Sequence, residues 1–238
     1  MSGKTALVVS AHSADFVWRA GGAIALHAER GWAVTVVCLS FGERGESAKL
    51  WRKDGMTLEA VKAGRKVEAE RAADKLGVAD IQFWDLGDYP ITLNRDSLFR
   101  LADLHRAIRP AWTMSHSKAD PYNADHPAVT AFAQEARIVA QAHGHNPGVP
   151  VIGAPQVYLF EPHQPEQCGW KPDTILNITE VWDRKRAAIE CMEGQEHLWE
   201  YYTRVALQRG AQGGRNSGQP MTYGEAYETV FPRVVGEL

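Results

Sequence analysis

A short apolar run, Ala6-Leu7-Val8-Val9, leads into Ser10-Ala11-His12-Ser13-Ala14-Asp15, and a second run, Trp32-Ala33-Val34-Thr35-Val36-Val37-Cys38-Leu39, follows the helix-patterned stretch from Phe16 to Arg30. Runs this short and β-branched read as strands buried on both faces, the habit of a parallel sheet. Strand, helix and strand in that order make a βαβ unit with an expected right-handed crossover. His12 and Asp15 then fall just beyond the carboxyl end of a strand, where open α/β sheets bind ligands. An imidazole and a carboxylate there supply two of the three protein ligands of a usual catalytic divalent-metal site. By spacing alone, a loop histidine capped by an aspartate reads equally well.

The rest of the chain continues the alternation. Gly21-Gly22 inside the first helix mark close packing beside the site, since each costs about 1 kcal/mol in a helix interior. The second strand runs into Ser40 to Ser47, a polar loop carrying Glu43, Arg44 and Glu46. A helix is expected from Thr57 to Leu76 with Gly77 as its C-cap, a strand at Ile81–Leu86, a helix from Asp96 to Ile108, and a fourth strand at Ala111–His116. The loop Ser117 to Pro127 can supply the missing metal ligand. Pro127 is placed to open the next helix, which runs to about Ala142 and puts His126 at or next to its N-cap. A later strand within Val157–Pro165 ends in a loop that presents His163; Ile178 to Leu207 is mostly helix, with Trp182, Ile189 and Trp199 in the core. The glycine-rich segment Arg209 to Gly218 reads as long and flexible, a lid or a contact onto a neighbouring subunit of a homo-oligomer. It lacks both the preceding strand and the Lys-Ser/Thr of a phosphate-binding loop. The expected fold is α/β, a Rossmann-like, mostly parallel sheet with helices on both faces, in one domain spanning residues 1–238.

Several functional classes drop out. The net charge is −3 with no basic stripe, which excludes a nucleic-acid partner. No apolar run approaches the roughly 18 residues of a membrane span. The three cysteines, Cys38, Cys168 and Cys191, form neither a disulfide framework nor a Cys-x-x-Cys zinc site. The amino terminus shows no signal-peptide pattern, so a cytoplasmic protein is expected.

Strand one followed by Ala11-His12-x-x-Asp15, the Gly-Gly helix, Gly42-Glu43 after strand two, Arg65-x-x-Glu68 on a helix ending in Leu76-Gly77, and the Asp125-His126 loop occur here in order. In that combination the chain resembles the LmbE/PIG-L family of zinc-dependent deacetylases acting on N-acetylglucosamine-type substrates. The resemblance implies a Zn2+ ion held by His12, Asp15 and His126, with Arg65 at the family's active-site arginine position. It also exposes departures. Where the family has the aspartate that activates water, this chain has Ala14; where it has an assisting histidine, this chain has Asn123. Alanine accepts no proton and asparagine does not titrate, so the hydrolytic acid–base pair is missing while the metal site is kept. The loop Ala11 to Arg19 resembles a divergent branch of the family that hydrates 4-oxalomesaconate in bacterial gallate breakdown.

Adding water to a double bond conjugated with a ketone requires a polarised oxygen, a base for the water and an acid for the neighbouring carbon. The base candidates are Glu46, slightly favoured, and Glu43; His163 is the proton-transfer partner, and by the resemblance Asp125 buttresses the site. A small polycarboxylate substrate calls for cations, for which Arg65, Arg19, Arg44 and Arg215 are candidates. Three readings follow: a zinc hydratase, a zinc amide hydrolase with a relocated base, and a non-catalytic metal- or ligand-binding module.

Overall fold

The computed structural model describes residues 3–232, 234 and 236. Its sheet has seven strands, β1 (Thr5–Ser10), β2 (Ala33–Cys38), β3 (Asp80–Phe83), β4 (Trp112–Ser115), β5 (Gln156–Phe160), β6 (Thr174–Asn177) and β7 (Gly224–Thr229), in the order β3-β2-β1-β4-β5-β7-β6. The first five positions pair in parallel, while β7 runs antiparallel to both β5 and β6. The mostly parallel α/β expectation therefore holds, with an antiparallel edge that no sequence pattern announced.

The helices are α1 (Asp15–Glu29), α2 (Ala48–Trp51), α3 (Leu58–Leu76), α4 (Arg95–Ile108), α5 (Asp125–Gln141), α6 (Trp182–Glu190) and α7 (Trp199–Ser217). Alternation along β1 sends Ala6 and Val8 into one apolar cluster with Phe16, Ile24, Leu76 and Ile189, and Leu7 and Val9 into another with Leu101, Val129 and Phe132. Helices α1, α3, α6 and α7 thus cover one face, and α4 and α5 the other. Helix α3 ends as expected at Gly77, whose φ of 77° is left-handed. Gly22 gives the predicted close approach, since a Cβ there would lie 2.6 Å from Ile178 Cγ2.

Three expectations need correction. Strand β3 stops at Phe83 rather than Leu86, because Asp85 turns the chain with φ of 54°. Ala124, not His126, is the N-cap of α5, so His126 and Pro127 both lie inside its first turn. The glycine-rich stretch is no flexible lid, for residues 209–217 are the last turns of α7. The chain returning towards β7 lies against those turns so closely that a Cβ on Gly210 would sit 1.9 Å from the Thr222 carbonyl oxygen, and one on Gly213 2.4 Å from Met221 Sδ. The glycines make that approach possible.

Candidate metal centre and active site

The winding of the sheet reverses at β1, which has β2 on one side and β4 on the other, so the loops after β1 and β4 open into the same crevice. From the first loop come His12 and Asp15, the latter in the first turn of α1 and accepting the His12 backbone N–H at 2.8 Å through Oδ2. The loop after β2 contributes Glu46, and the first turn of α5 contributes His126. His12 Nδ1 lies 3.2 Å from both Asp15 Oδ2 and Glu46 Oε1, and His126 Nε2 lies 3.6 Å from Asp15 Oδ1. One ligand atom from each of these four residues falls within 4.8 Å of all the others.

This donor set fits a divalent cation. Among the described residues, no contact of His12 Nδ1 or His126 Nε2 has hydrogen-bond geometry although both atoms are buried, and both lie against carboxylate oxygens. Their opposite ring nitrogens are held by acids, His12 Nε2 by Asp125 Oδ2 at 3.3 Å and His126 Nδ1 by Asp120 Oδ2 at 2.8 Å, as ligating imidazoles are usually oriented. Electrostatics point the same way. Burial disfavours a charged His12, yet the neighbouring Glu46, Asp125 and Asp15 outweigh it and raise its pKa well above the ordinary value. Burial likewise opposes the Asp15 carboxylate, and His116, His126 and His12 overcome it to hold its pKa well below the usual range. Converging carboxylates that leave two buried nitrogens free are the surroundings a bound cation would neutralise.

A cavity of about 750 Å³ opens from this centre and is lined by Glu46, Arg19, His163, Tyr89, Asn123 and Tyr202, among others. Burial raises the Glu46 carboxyl but His12 pulls it lower, so its net shift is downward and it is ionised at neutral pH. The His163 ring stacks on Tyr201 with centroids 4.2 Å apart, and burial together with Arg19 lowers its pKa. Arg19 Nε lies 3.5 Å from Asp15 Oδ1, and its Nη1 donates to the Glu161 carbonyl at 2.9 Å. Asp125 does not reach the cavity. It accepts the backbone N–H groups of Tyr89 and Ile91 at 2.9 and 3.0 Å and pins the His12 ring.

Four candidates stand elsewhere. Glu43 is buried and accepts the Phe41 N–H at 3.1 Å, its carboxylate turned back into its own loop. Arg65 is fully buried and donates to Glu68 and to Gln195, both at 2.6 Å, so it supports the cavity wall from behind. Arg44 is exposed, and its backbone N–H is held by Asp88. Arg215 is exposed in the last turn of α7, and neither it nor Arg44 lines the cavity. Sequence reasoning missed Asp120 and His116. His116 stacks on His126 with centroids 4.1 Å apart and accepts the Ala11 N–H at 2.9 Å through Nε2. Their signal was faint: a histidine ending an expected strand, and an aspartate six residues before the candidate ligand His126.

Residues 7–137 match the family model described as PIG-L: GlcNAc-PI de-N-acetylase. The chain is 64% identical to a 4-oxalmesaconate hydratase of Pseudomonas putida over 99% of its own length and 92% of the relative's. Its fold superposes with a TM-score of 0.96 and 64% identity on the crystal structure of GalB, the 4-carboxy-2-hydroxymuconate hydratase from Pseudomonas putida KT2440, covering 99% of each chain. Identity falls to 29% with a probable N-acetyl-alpha-D-glucosaminyl L-malate deacetylase 2 of Bacillus cereus, over 79% of this chain and 82% of that one.

Proposed function

The chain belongs to the PIG-L family, and from that premise we propose that it is a cytoplasmic, zinc-dependent hydratase that adds water to 4-oxalomesaconate, giving 4-carboxy-4-hydroxy-2-oxoadipate in gallate-type aromatic catabolism. The observation that carries this reading is the 64% identity to the hydratase of Pseudomonas putida across nearly the whole of both chains. The site supports it. Ala14, at the position of the family's hydrolytic base, is wholly buried and has no proton acceptor. Asn123, at the position of its assisting histidine, spends its side chain on Glu46 and on the Asp125 N–H.

His12, Asp15 and His126 would hold the ion, which when bound polarises the oxygen conjugated with the double bond as a Lewis acid. Glu46 lies against that centre and takes a proton from water as its oxygen bonds to one alkene carbon. His163, on the same cavity, delivers a proton to the adjacent carbon; its lowered pKa makes its protonated form a stronger acid than a free imidazole. Asp125 and Asp120 keep the ligand rings aimed.

Asp15→Ala should lose both the ion and hydration. Glu46→Gln should keep one equivalent of ion while kcat falls by about 10²-fold or more, the low end for losing a general base. Loss of the ion from Glu46→Gln as well would make Glu46 a ligand and sink its assignment as the base.

A further inference from the structure

The cations expected to receive a polycarboxylate are mostly absent from the cavity: Arg44, Arg65 and Arg215 do not line it, and Arg19 is engaged by Asp15 and the Glu161 carbonyl. Two others line it instead. Lys49 lies in α2 and Arg52 is that helix's C-cap, three residues apart and so on one side of the turn that follows Glu46. The facing wall is the segment from Gly194 to Leu198. It is fixed from behind, because Glu68 accepts the Gly194 N–H at 2.8 Å and Arg65 holds Gln195. From this wall Glu196 reaches across and pairs with Lys49. Arg52 is exposed and forms no ion pair among the described residues.

We propose that Lys49 and Arg52 form the subsite for the carboxylate of the substrate farthest from the metal centre, with Glu196 as the resident anion that Lys49 releases when the substrate enters. This rests on the hydratase reading above, whose substrate is a tricarboxylate. An anion bound at the metal end leaves its remote carboxylates at the mouth, where the unpaired guanidinium of Arg52 and the ammonium of Lys49 stand on the wall that follows Glu46. Glu196 carries the same charge as the substrate group and is held on a fixed backbone. It therefore competes for Lys49 without being able to follow the ligand inward. The arrangement selects against substrates that lack a second, distant carboxylate.

Steady-state hydration kinetics test this. Lys49→Gln combined with Arg52→Gln should raise KM about tenfold while kcat stays within about twofold, as expected when a charge contact shared by ground and transition states is removed. Glu196→Gln should lower KM by about two- to threefold, since a competing anion is gone. Lys4→Gln, at the opposite end of β1, should leave KM unchanged. An unchanged KM in the double variant, or a KM that rises in Glu196→Gln as in Lys49→Gln, overturns the subsite. Calorimetric titration with the saturated tricarboxylate tricarballylate separates this from failure of the hydratase reading. Weaker binding by the double variant in a protein that does not hydrate 4-oxalomesaconate upholds the subsite and refutes the reaction, whereas equal binding by the double variant and wild type refutes the subsite whatever the turnover.

Discussion

Asn123 joins two segments of the candidate site through one amide. Its Nδ2 donates to Glu46 Oε1 at 3.4 Å and its Oδ1 accepts the Asp125 N–H at 3.1 Å, so it ties the carboxylate of one loop to the start of the helix that carries His126. A titrating imidazole would not have both bonds at every pH. Away from the site, His105 makes the opposite use of burial. It is fully enclosed, with Nδ1 2.9 Å from the Leu101 carbonyl and Nε2 3.4 Å from Thr113 Oγ1, and burial pushes its pKa down to about 4. The folded state therefore keeps it neutral, while the unfolded chain binds a proton below about 6.5. Its contribution to stability is complete above that value and is lost as the pH falls from about 6.5 towards 4. Between pH 7.5 and pH 5 the wild type should lose about 2 kcal/mol more of urea-measured stability than His105→Gln. Equal losses would contradict a buried neutral imidazole.

At the level of elements, periodic patterns were legible and packing between distant segments was not. The strand after residue 5, the helix ending at Gly77 and the loops bearing His12, Asp15 and Glu46 follow from runs, caps and spacing. Sequence favoured Glu46 over Glu43 only slightly, because the turn at Gly42 and the capture of the Phe41 N–H decide which carboxylate faces the crevice. Arg65 matched a motif, yet its partner Gln195 lies 130 residues away. The glycine-rich end of α7 misled for the same reason, since its backbone contacts come from residues 221–223. Two helix glycines should accordingly respond in opposite directions. Gly210→Ala drives a methyl into the Thr222 carbonyl and should cost about 2–3 kcal/mol, the upper range for overpacking. Gly64→Ala, in α3 with its nearest neighbour Leu50 Cδ1 at 3.6 Å, should stabilise by about 0.5–1 kcal/mol. Denaturant midpoints read both, and a neutral Gly210→Ala would mean that the close approach is not there.

At the scale of the whole molecule, the reversal of strand order at β1 brings two loops and two helix starts to a single point, so residues from positions 12 to 126 share one centre. The antiparallel β7 adds a second function to that face: Glu225 accepts the Gly22 and Ala23 N–H groups of α1 at 2.7 Å each and pairs with buried Lys185 at 2.6 Å, clamping the helix that starts at Asp15. Among the described residues no helix is long and apolar enough to cross a membrane. On this scaffold, shared with deacetylases, the loop after β1 carries Ala14, and Glu46 from the loop after β2 stands beside His12. The most direct test is to give the zinc-loaded wild-type protein 4-oxalomesaconate and N-acetylglucosamine derivatives in parallel, following loss of the conjugated chromophore in one and released acetate in the other. The account predicts rapid loss of absorbance, abolished by a chelator, and negligible acetate; robust acetate release with an unchanged chromophore would contradict it.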